Sequence, residues 1–310
     1  ITKANLKLLP QPSHKTTISI EFKDLGFVHP MYELAMEYYF HELTAFEICS
    51  KDILDVAIRA FHSRPSTKQS SDVLNFEPNH HVLLLELTHY QPASDQSNHQ
   101  AQNFIQILKQ RFTSSNQSNT DHIFINLHTN PKDQATLWGF RKTLPDAQKA
   151  LGPTLKHDIS LPLSQLSSFI QELDPKLMDL HPKLFVPFFG HVGDGNVHYN
   201  VMHQQQDQQI LKALAPQIAE LVYDTVVAYN GAFSAEHGIG QQKRNLMKRY
   251  LPEETLDTLQ SVKQTFDPKG ILNPHKVFDF EPINSHLSWM NKNESQHGPK
   301  NDPNNGLKSK

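Results

Sequence analysis

The chain has 310 residues and a formal net charge of -3, with 29 Lys and Arg against 32 Asp and Glu. This near-neutral balance, without a basic stripe between aromatic residues, argues against a nucleic-acid-binding protein. The longest apolar runs, such as residues 82–85, are far too short to span a bilayer, and no charged-then-apolar signal peptide opens the chain.

Strand and helix patterns mix at long intervals in the first half of the chain. Residues 17–22, 46–49, 81–87 and 122–127 are predicted strands, and residues 30–37, 102–111 and 134–151 are predicted helices. The polar stretches 63–79 and 114–120 are predicted loops. This mixture predicts an α+β fold, an antiparallel sheet with helices covering one face.

The second half begins with a predicted hairpin. Residues 184–190 enter a turn at Asp194 and Gly195, and residues 197–202 leave it. Residues 207–230 are predicted to be helical, with a kink or interruption at Pro216, and residues 241–266 are rich in helix. A compact turn at residues 267–276 closes a single domain over residues 1–278, and the polar tail 279–310 is predicted to be disordered.

The hairpin brings metal-ligand residue types together. His191 and His198 face each other across the predicted turn, and Asn200 shares a strand face with His198 because it lies two residues further on. A glycine-rich loop presents Glu236 and His237. Two histidines and one glutamate form a set that a catalytic zinc-like site uses when one coordination position stays open. His237 would then be free for proton transfer.

A chain with 19 histidines also produces clusters by chance. The alternative is therefore that these side chains are structural histidines with satisfied hydrogen bonds. Several histidines stand in no comparable pattern and are interpreted as surface or packing residues: His14, His29, His41, His62, His80, His81 and His89. Because several residues of these types occur close together in short motifs, a functional role is favoured for His191, His198 and Glu236.

Three segments resemble the C-terminal domain of the FAD-linked oxidases, the family of D-2-hydroxyglutarate dehydrogenase, D-lactate dehydrogenase and the glycolate oxidase FAD subunit. They are Gly-His-Val-Gly-Asp-Gly-Asn-Val-His at 190–198, Ala-Glu-His-Gly-Ile-Gly at 235–240, and Phe-Asp-Pro-Lys-Gly-Ile-Leu-Asn-Pro at 266–274. The resemblance covers residues 1–278 and implies a ferredoxin-like cap domain with a helical C-terminal segment. Residues 1–10 resemble the family's transition from the FAD-binding domain, so we expect a fragment whose upstream FAD-binding domain is absent.

The resemblance also implies roles for individual residues. A divalent metal, zinc-like, is held by His191, His198 and Glu236, while the remaining site residues contact the substrate or the flavin. Arg141 and Lys156 correspond to the family's carboxylate-binding residues, Asn200 and His237 to its other substrate contacts, and Asn273 to a contact at the flavin edge. Relatives that bind 2-hydroxyglutarate place a hydroxyl residue four positions after the arginine, where this chain has Pro145.

The function implied is oxidation of a D-2-hydroxy acid to the 2-keto acid by FAD, with a quinone or an electron-transfer flavoprotein as electron acceptor. The ligand set alone also fits a metal-dependent hydrolase, and a non-catalytic, metal-stabilised cap is a third reading. The single cysteine, Cys49, excludes an internal disulfide and fits a reducing compartment. We therefore expect a cytoplasmic protein without a transmembrane segment, with oligomerisation and peripheral membrane association left open.

Overall fold

The structure, a computed structural model, describes residues 2–8, 10–63, 72–90, 95–113 and 123–279. Its contacts separate two compact units in this described part of the chain, with the boundary between His237 and Gly238. The predicted loop at 114–120 and all of the predicted tail after Asp279 lie outside the described residues. The predicted single domain over residues 1–278 stays a prediction.

The first unit contains both β-sheets. Its strands are β1 His14–Phe22, β2 Leu43–Cys49, β3 His81–His89, β4 Phe124–His128, β5 Thr154–Leu155, β6 Asp158–Ser160, β7 Leu184–Phe185, β8 Phe188–Gly190, β9 Asn196–Tyr199 and β10 Val201–His203. Its helices are α1 Val28–Tyr39, α2 Lys51–His62, α3 Asp95–Thr113, α4 Pro131–Arg141, α5 Leu144–Leu151, α6 Leu166–Leu180 and α7 Gln208–Ala228. The second unit has α8 Arg244–Tyr250 and α9 Glu253–Phe266.

The main sheet has the strand order β4-β1-β3-β2-β8-β9-β6, and all its neighbouring strands are antiparallel. Its first four strands, with α1 after β1 and α3 after β3, follow the ferredoxin-like connection, and α2 is inserted between β2 and β3. Strands β8, β9 and β6 extend this sheet beyond β2. The predicted α+β fold class is therefore confirmed.

Helices cover both faces of the sheet, which corrects the expectation of one covered face. On one face Cys49 and Phe189 belong to an apolar core built with α2, α4 and α5. On the other face Tyr32 of α1 packs edge-on against Phe46, with ring centroids 5.2 Å apart. Strand β1 is accordingly buried on both sides from Thr16 onward, since each face needs apolar cover.

Proline explains where the predicted helix at 134–151 divides. Helix α4 ends at Arg141 and α5 begins at Leu144, with Pro145 in the first turn of α5. Proline has no N–H to donate, so it fits the first turn of a helix and disfavours a helix interior. Of the two alternatives predicted at Pro216, the interruption was wrong, because α7 continues through that residue as one helix.

The predicted hairpin at β8 and β9 is confirmed, although its connection is longer than a two-residue turn. A short 3-10 helix, Val192–Asp194, leads to Gly195, whose φ of +80° lies in the left-handed region. A Cβ atom at Gly195 would collide with the carbonyl oxygen of Leu161, and one at Gly190 with that of Asn196. Glycine is required here by packing as well as by backbone conformation. Among the described helices, none combines the length and apolar composition of a membrane span.

Candidate metal and substrate site

Four side chains converge at the β6 end of the main sheet. Asp158, His198, Glu236 and His237 each offer a ligand atom, and these atoms all lie within 4.8 Å of one another. His198 Nε2 lies 3.3 Å from Glu236 Oε1, and His237 Nε2 lies 3.6 Å from the same oxygen. We call these four residues the imidazole–carboxylate cluster. It combines oxygen and nitrogen donors around a shared point.

Strand pairing brings two members of the cluster together. Asp158 on β6 lies directly opposite His198 on β9, so both side chains project from the same face of the sheet. The rings of His198 and His237 stack with centroids 5.8 Å apart. Asp158 is buried, whereas the side chains of Glu236 and His237 are 46% and 59% exposed. The cluster thus has a buried base and an open side that a ligand can reach.

Asp158 holds the segment that carries Glu236 and His237. Its Oδ2 accepts hydrogen bonds from the backbone N–H groups of Glu236 at 3.0 Å and His237 at 2.9 Å. Burial raises the pKa of Asp158, but these two bonds and the nearby histidines outweigh burial, and the pKa is lowered overall. The carboxylate therefore stays ionised and anchors the segment.

His191 lies apart from this group in the described structure. Its Nδ1 is 2.5 Å from Oε1 of Glu47, a β2 residue whose side chain is only 7% exposed. The other oxygen of Glu47 accepts a hydrogen bond from Arg141 Nε at 3.0 Å and lies 2.9 Å from Arg141 Nη2. We call this arrangement of Glu47, His191 and Arg141 the Glu47 bridge.

An aromatic ring connects the bridge to the cluster. The guanidinium of Arg141 lies over the ring of Phe189 at 5.3 Å from its centroid. The same ring is 5.1 Å from that of His198, its partner across β8 and β9. Burial lowers the pKa of His198. The charges of Glu236 and Asp158 act to raise this pKa, whereas those of Arg141 and His237 lower it further, and the pKa is lowered overall. Arg141 is therefore close enough to act electrostatically on the cluster.

The remaining predicted site residues have different surroundings. Asn200 is buried, with Nδ2 donating to Gln148 Oε1 at 2.8 Å and Oδ1 accepting from the His157 N–H at 3.2 Å. Lys156 is exposed between β5 and β6, without an ion partner among the described residues. Asn273, in the second unit, has a left-handed φ of +45° and lines a cavity of about 200 Å³. The structure brings together His198, Glu236 and His237 from the predicted set.

Sequence reasoning missed Glu47 and Asp158. Each is a single carboxylate within a strand, flanked by apolar residues or histidine in Phe46-Glu47-Ile48 and His157-Asp158-Ile159. A lone acidic residue in such a strand is normally assigned to a solvent-facing position. The sequence pattern alone therefore did not distinguish Glu47 and Asp158 from ordinary exposed carboxylates. The signal would have been their place on one sheet face beside predicted ligands, which requires the strand register.

The donor set of the cluster fits a transition metal of the zinc type. Imidazole nitrogens and carboxylate oxygens are ligands that zinc, manganese, cobalt and iron accept, and an open coordination side is typical of catalytic sites. His198, Glu236 and His237 offer exposed or half-buried atoms. Asp158 already accepts two backbone bonds, so it suits an orienting role better than a ligand role.

A cavity of about 440 Å³ borders the Glu47 bridge. Residues of α1 and β2 form its apolar wall, and Glu47, His191 and Asp194 form its polar end. Its volume lies within the range of about 300–1,000 Å³ that small-molecule pockets occupy. The cavity therefore has room for a small molecule beside His191.

Comparison with known proteins places the chain in a family. The family described as "FAD linked oxidases, C-terminal domain" matches residues 11–277. D-2-hydroxyglutarate dehydrogenase of Danio rerio, a mitochondrial protein, is 38% identical over 141 residues, 46% of this chain and 25% of its own length. The enzyme of that name from Stutzerimonas stutzeri (strain A1501) is 33% identical over 143 residues, 46% of this chain and 31% of its own length. A putative mitochondrial D-lactate dehydrogenase of Schizosaccharomyces pombe is 34% identical over 149 residues, 45% of this chain and 28% of its own length.

Solved structures share the fold at low sequence identity. p-Cresol methylhydroxylase with substrate bound has a TM-score of 0.54 at 12% identity, covering 87% of this chain and 54% of its own. Alkyldihydroxyacetonephosphate synthase has a TM-score of 0.53 at 13% identity, covering 85% of this chain and 44% of its own. The chain spans less than a third of the length of each of the three curated relatives named above.

Proposed function

Because the chain belongs to the family of the FAD-linked oxidase C-terminal domain, we propose that it is the substrate- and metal-binding part of a flavoenzyme oxidising D-2-hydroxy acids to 2-keto acids. The observation that carries this proposal is the imidazole–carboxylate cluster, open on one side and linked through Phe189 to a partly buried arginine. This arrangement offers one place for a metal and an adjacent place for a carboxylate. The names of the curated relatives support the substrate class.

Arg141 binds the substrate carboxylate in this proposal. Its guanidinium is planar and always charged, which suits paired hydrogen bonds to a carboxylate. Nη2 lies 2.9 Å from Glu47 Oε2 but makes no aligned hydrogen bond among the described residues, so the guanidinium has one buried donor that is not satisfied. Lys156 contributes a second positive charge from the exposed loop after β5, and Asn200 is a further substrate contact in this proposal.

His198, Glu236 and His191 would hold the metal, as the resemblance implies, with His237 left for the proton. An ion of the zinc type would supply Lewis-acid polarisation of the substrate there. His191 would have to offer Nε2, since Nδ1 faces Glu47. His237 lies within the cluster and is the competing third ligand, which makes the ligand set an experimental question.

His237 accepts the hydroxyl proton of the substrate. Its Nδ1 faces the ionised Asp158 at 3.7 Å, which favours a proton on that nitrogen and leaves Nε2 as the basic atom. Its exposure gives the imidazole access to a substrate on the open side of the cluster. The flavin supplies the hydride-accepting chemistry, which belongs to the cofactor.

Asn273 contacts one edge of the flavin in this proposal. The cavity it lines, about 200 Å³, is smaller than the roughly 300 Å³ at which pockets for whole small molecules begin. This size supports contact with part of the cofactor, the remainder being held by a separate FAD-binding domain. We propose a quinone or an electron-transfer flavoprotein as electron acceptor. Location in the cytoplasm stays a prediction, since two of the relatives named above carry mitochondrial names.

The test is anaerobic reduction of the flavin in the complete protein that contains this chain. Adding a D-2-hydroxy acid should bleach the oxidised flavin absorbance and produce the 2-keto acid in equal amount. Absence of flavin, together with metal-dependent hydrolysis of an ester or amide, would favour the hydrolase reading. Flavin present but inert toward every D-2-hydroxy acid tried would favour the non-catalytic cap.

A further inference from the structure

We propose that Glu47 is a positioning residue that orients His191 toward the metal and Arg141 toward the substrate carboxylate at the same time. The inference rests on the proposed function and adds a residue to it. Glu47 lies on β2, in the ferredoxin-like part of the sheet, and comes 144 residues before His191 in the sequence. No motif of the sequence contains it.

Both oxygens of Glu47 have separate partners. Oε1 lies 2.5 Å from His191 Nδ1, and Oε2 accepts from Arg141 Nε at 3.0 Å. The carboxylate is nearly buried, and Arg141 is 11% exposed, so solvent weakens this pairing little. An ionised carboxylate accepts hydrogen bonds only, which places the proton of a neutral His191 ring on Nδ1. Nε2 is then the unprotonated nitrogen, the form that binds a metal.

This geometry corresponds to the carboxylate–histidine arrangement that supports metal ligands in proteins. A carboxylate on the far nitrogen fixes the tautomer and the ring orientation, and its loss typically lowers metal affinity by about 10- to 100-fold. His191 needs such support more than His198 does, because its side chain is 48% exposed whereas that of His198 is 14% exposed. Without Glu47 the His191 ring would be free to rotate.

The carboxylate of Glu47 also sets the position of Arg141, the proposed substrate-binding residue. Arg141 ends α4, where a long side chain has many accessible rotamers. The ion pair with Glu47 and the ring of Phe189 beneath the guanidinium restrict that freedom. A single buried group therefore fixes the separation between a proposed ligand and a proposed substrate contact. Preorganisation of this kind reduces the cost of binding.

The decisive experiment measures zinc affinity of the full 310-residue chain by calorimetry in a double-mutant cycle. Glu47→Gln should weaken zinc binding by about 10- to 100-fold in the wild-type background, and by less than about twofold in the His191→Ala background. The matched control is Glu86→Gln, since Glu86 on β3 also accepts two side-chain bonds, from Lys15 and Thr44, away from the site. That control should leave the affinity unchanged.

A second measurement keeps the test valid if Glu47→Gln folds poorly. Nitrogen-15 NMR of the histidine rings should show His191 as the Nδ1–H tautomer in the wild type and in Glu47→Asp, the variant that keeps the carboxylate. An Nε2–H tautomer in the wild type, or equal loss of zinc affinity in both backgrounds, would overturn the positioning role. A wild-type chain that binds no zinc at all would instead count against the proposed function.

Discussion

Two regions supply the proposed ligands, and they are held in different ways. The β8–β9 hairpin, with His191 and His198, is part of the main sheet, and its glycines pack directly against neighbouring carbonyl groups. Residues 234–237, with Glu236 and His237, belong to no strand or helix. Two of their backbone N–H groups reach the side chain of Asp158. One half of the site is fixed by packing, and the other by a carboxylate.

Because of this difference, we expect mutations in the hairpin to affect mainly stability and mutations in the 234–237 segment to affect mainly ligand binding. Changes in the hairpin should affect the free energy of unfolding of the first unit, because its strands pair on both sides. Changes in the 234–237 segment should affect the binding of a metal with smaller effects on unfolding. Mutation can therefore distinguish what holds the fold from what completes the site.

The largest expected effect comes from Gly195→Ala. The new Cβ would collide with the Leu161 carbonyl at a left-handed φ, and such clash and strain together cost about 3 kcal/mol or more. Gly238→Ala is the control, since its φ of +73° is also left-handed but the residue is exposed, which costs about 1–2 kcal/mol. Urea unfolding of both variants measures the difference. Equal losses would contradict the view that the hairpin is held by packing.

The next effect concerns metal binding at the cluster. His198→Ala should lower zinc affinity by a factor on the order of 100 or more, because it removes a proposed direct ligand. His80→Ala should leave it unchanged, since the ring of His80 bonds to the Pro78 carbonyl and packs against Phe124, away from the cluster members. Zinc titration of both variants is the measurement. A similar loss for His80→Ala would indicate chance clustering of histidines.

The two competing ligand sets can then be compared. His191→Ala should weaken zinc binding by about 10-fold or more, whereas His237→Ala should spare zinc content and lower turnover of the complete enzyme by about 100-fold. The reason is that His237 is proposed as the base and His191 as the ligand. The reverse pattern would assign the metal to His198, Glu236 and His237, as their convergence in the structure allows.

Metal binding should also change the dynamics of one region and not the other. An ion bound by His198 and Glu236 would tie the 234–237 segment to the sheet, so amide exchange at residues 234–237 should slow on adding zinc. At a free zinc concentration 100 times the Kd, the expected stabilisation is about 2.7 kcal/mol. Unchanged exchange at residues 234–237 would contradict binding of the ion by Glu236.

The smallest predicted effect concerns substrate size. Pro145 offers no hydroxyl where relatives that bind 2-hydroxyglutarate have one, so a second carboxylate would lack a hydrogen bond worth roughly 1.5–3 kcal/mol. The complete enzyme should prefer D-lactate over D-2-hydroxyglutarate by about ten- to a hundredfold in kcat/KM. A preference for D-2-hydroxyglutarate, the substrate in the names of two relatives, would show that another residue binds the distal carboxylate.

The sequence predicted local features well where one pattern dominated. The strands β1 and β3 and the hairpin were recognised because alternation and turn residues are local signals. Helix α2 was not predicted, although its buried residues Ile53, Leu54, Ala57 and Phe61 follow helical spacing. This helix packs on the sheet face that carries Cys49 and Phe189. Helix α6 was overlooked as well, and it contains an internal proline at position 175.

The prediction of the site residues succeeded or failed for the same reason. The cluster members His198, Glu236 and His237 were recognised because the motif letters are dense within short segments. Glu47 and Asp158 were missed because their neighbours in the site come from distant parts of the chain, and only the register of β2 with β8 and of β6 with β9 brings them close. The sequence was sufficient to identify the types of ligand residue. It was not sufficient to predict the long-range strand pairing that brings Glu47 and Asp158 to them.

The hydrogen bonds of Asp158 have a consequence for engineering. They are made to the main-chain N–H groups of residues 236 and 237, so substitution of the side chains in this segment leaves these two bonds in place. The segment can therefore serve as a fixed platform for new donors. Glu236→His would present a third imidazole at the same place, shifting the preference from hard oxygen-seeking ions toward softer ones.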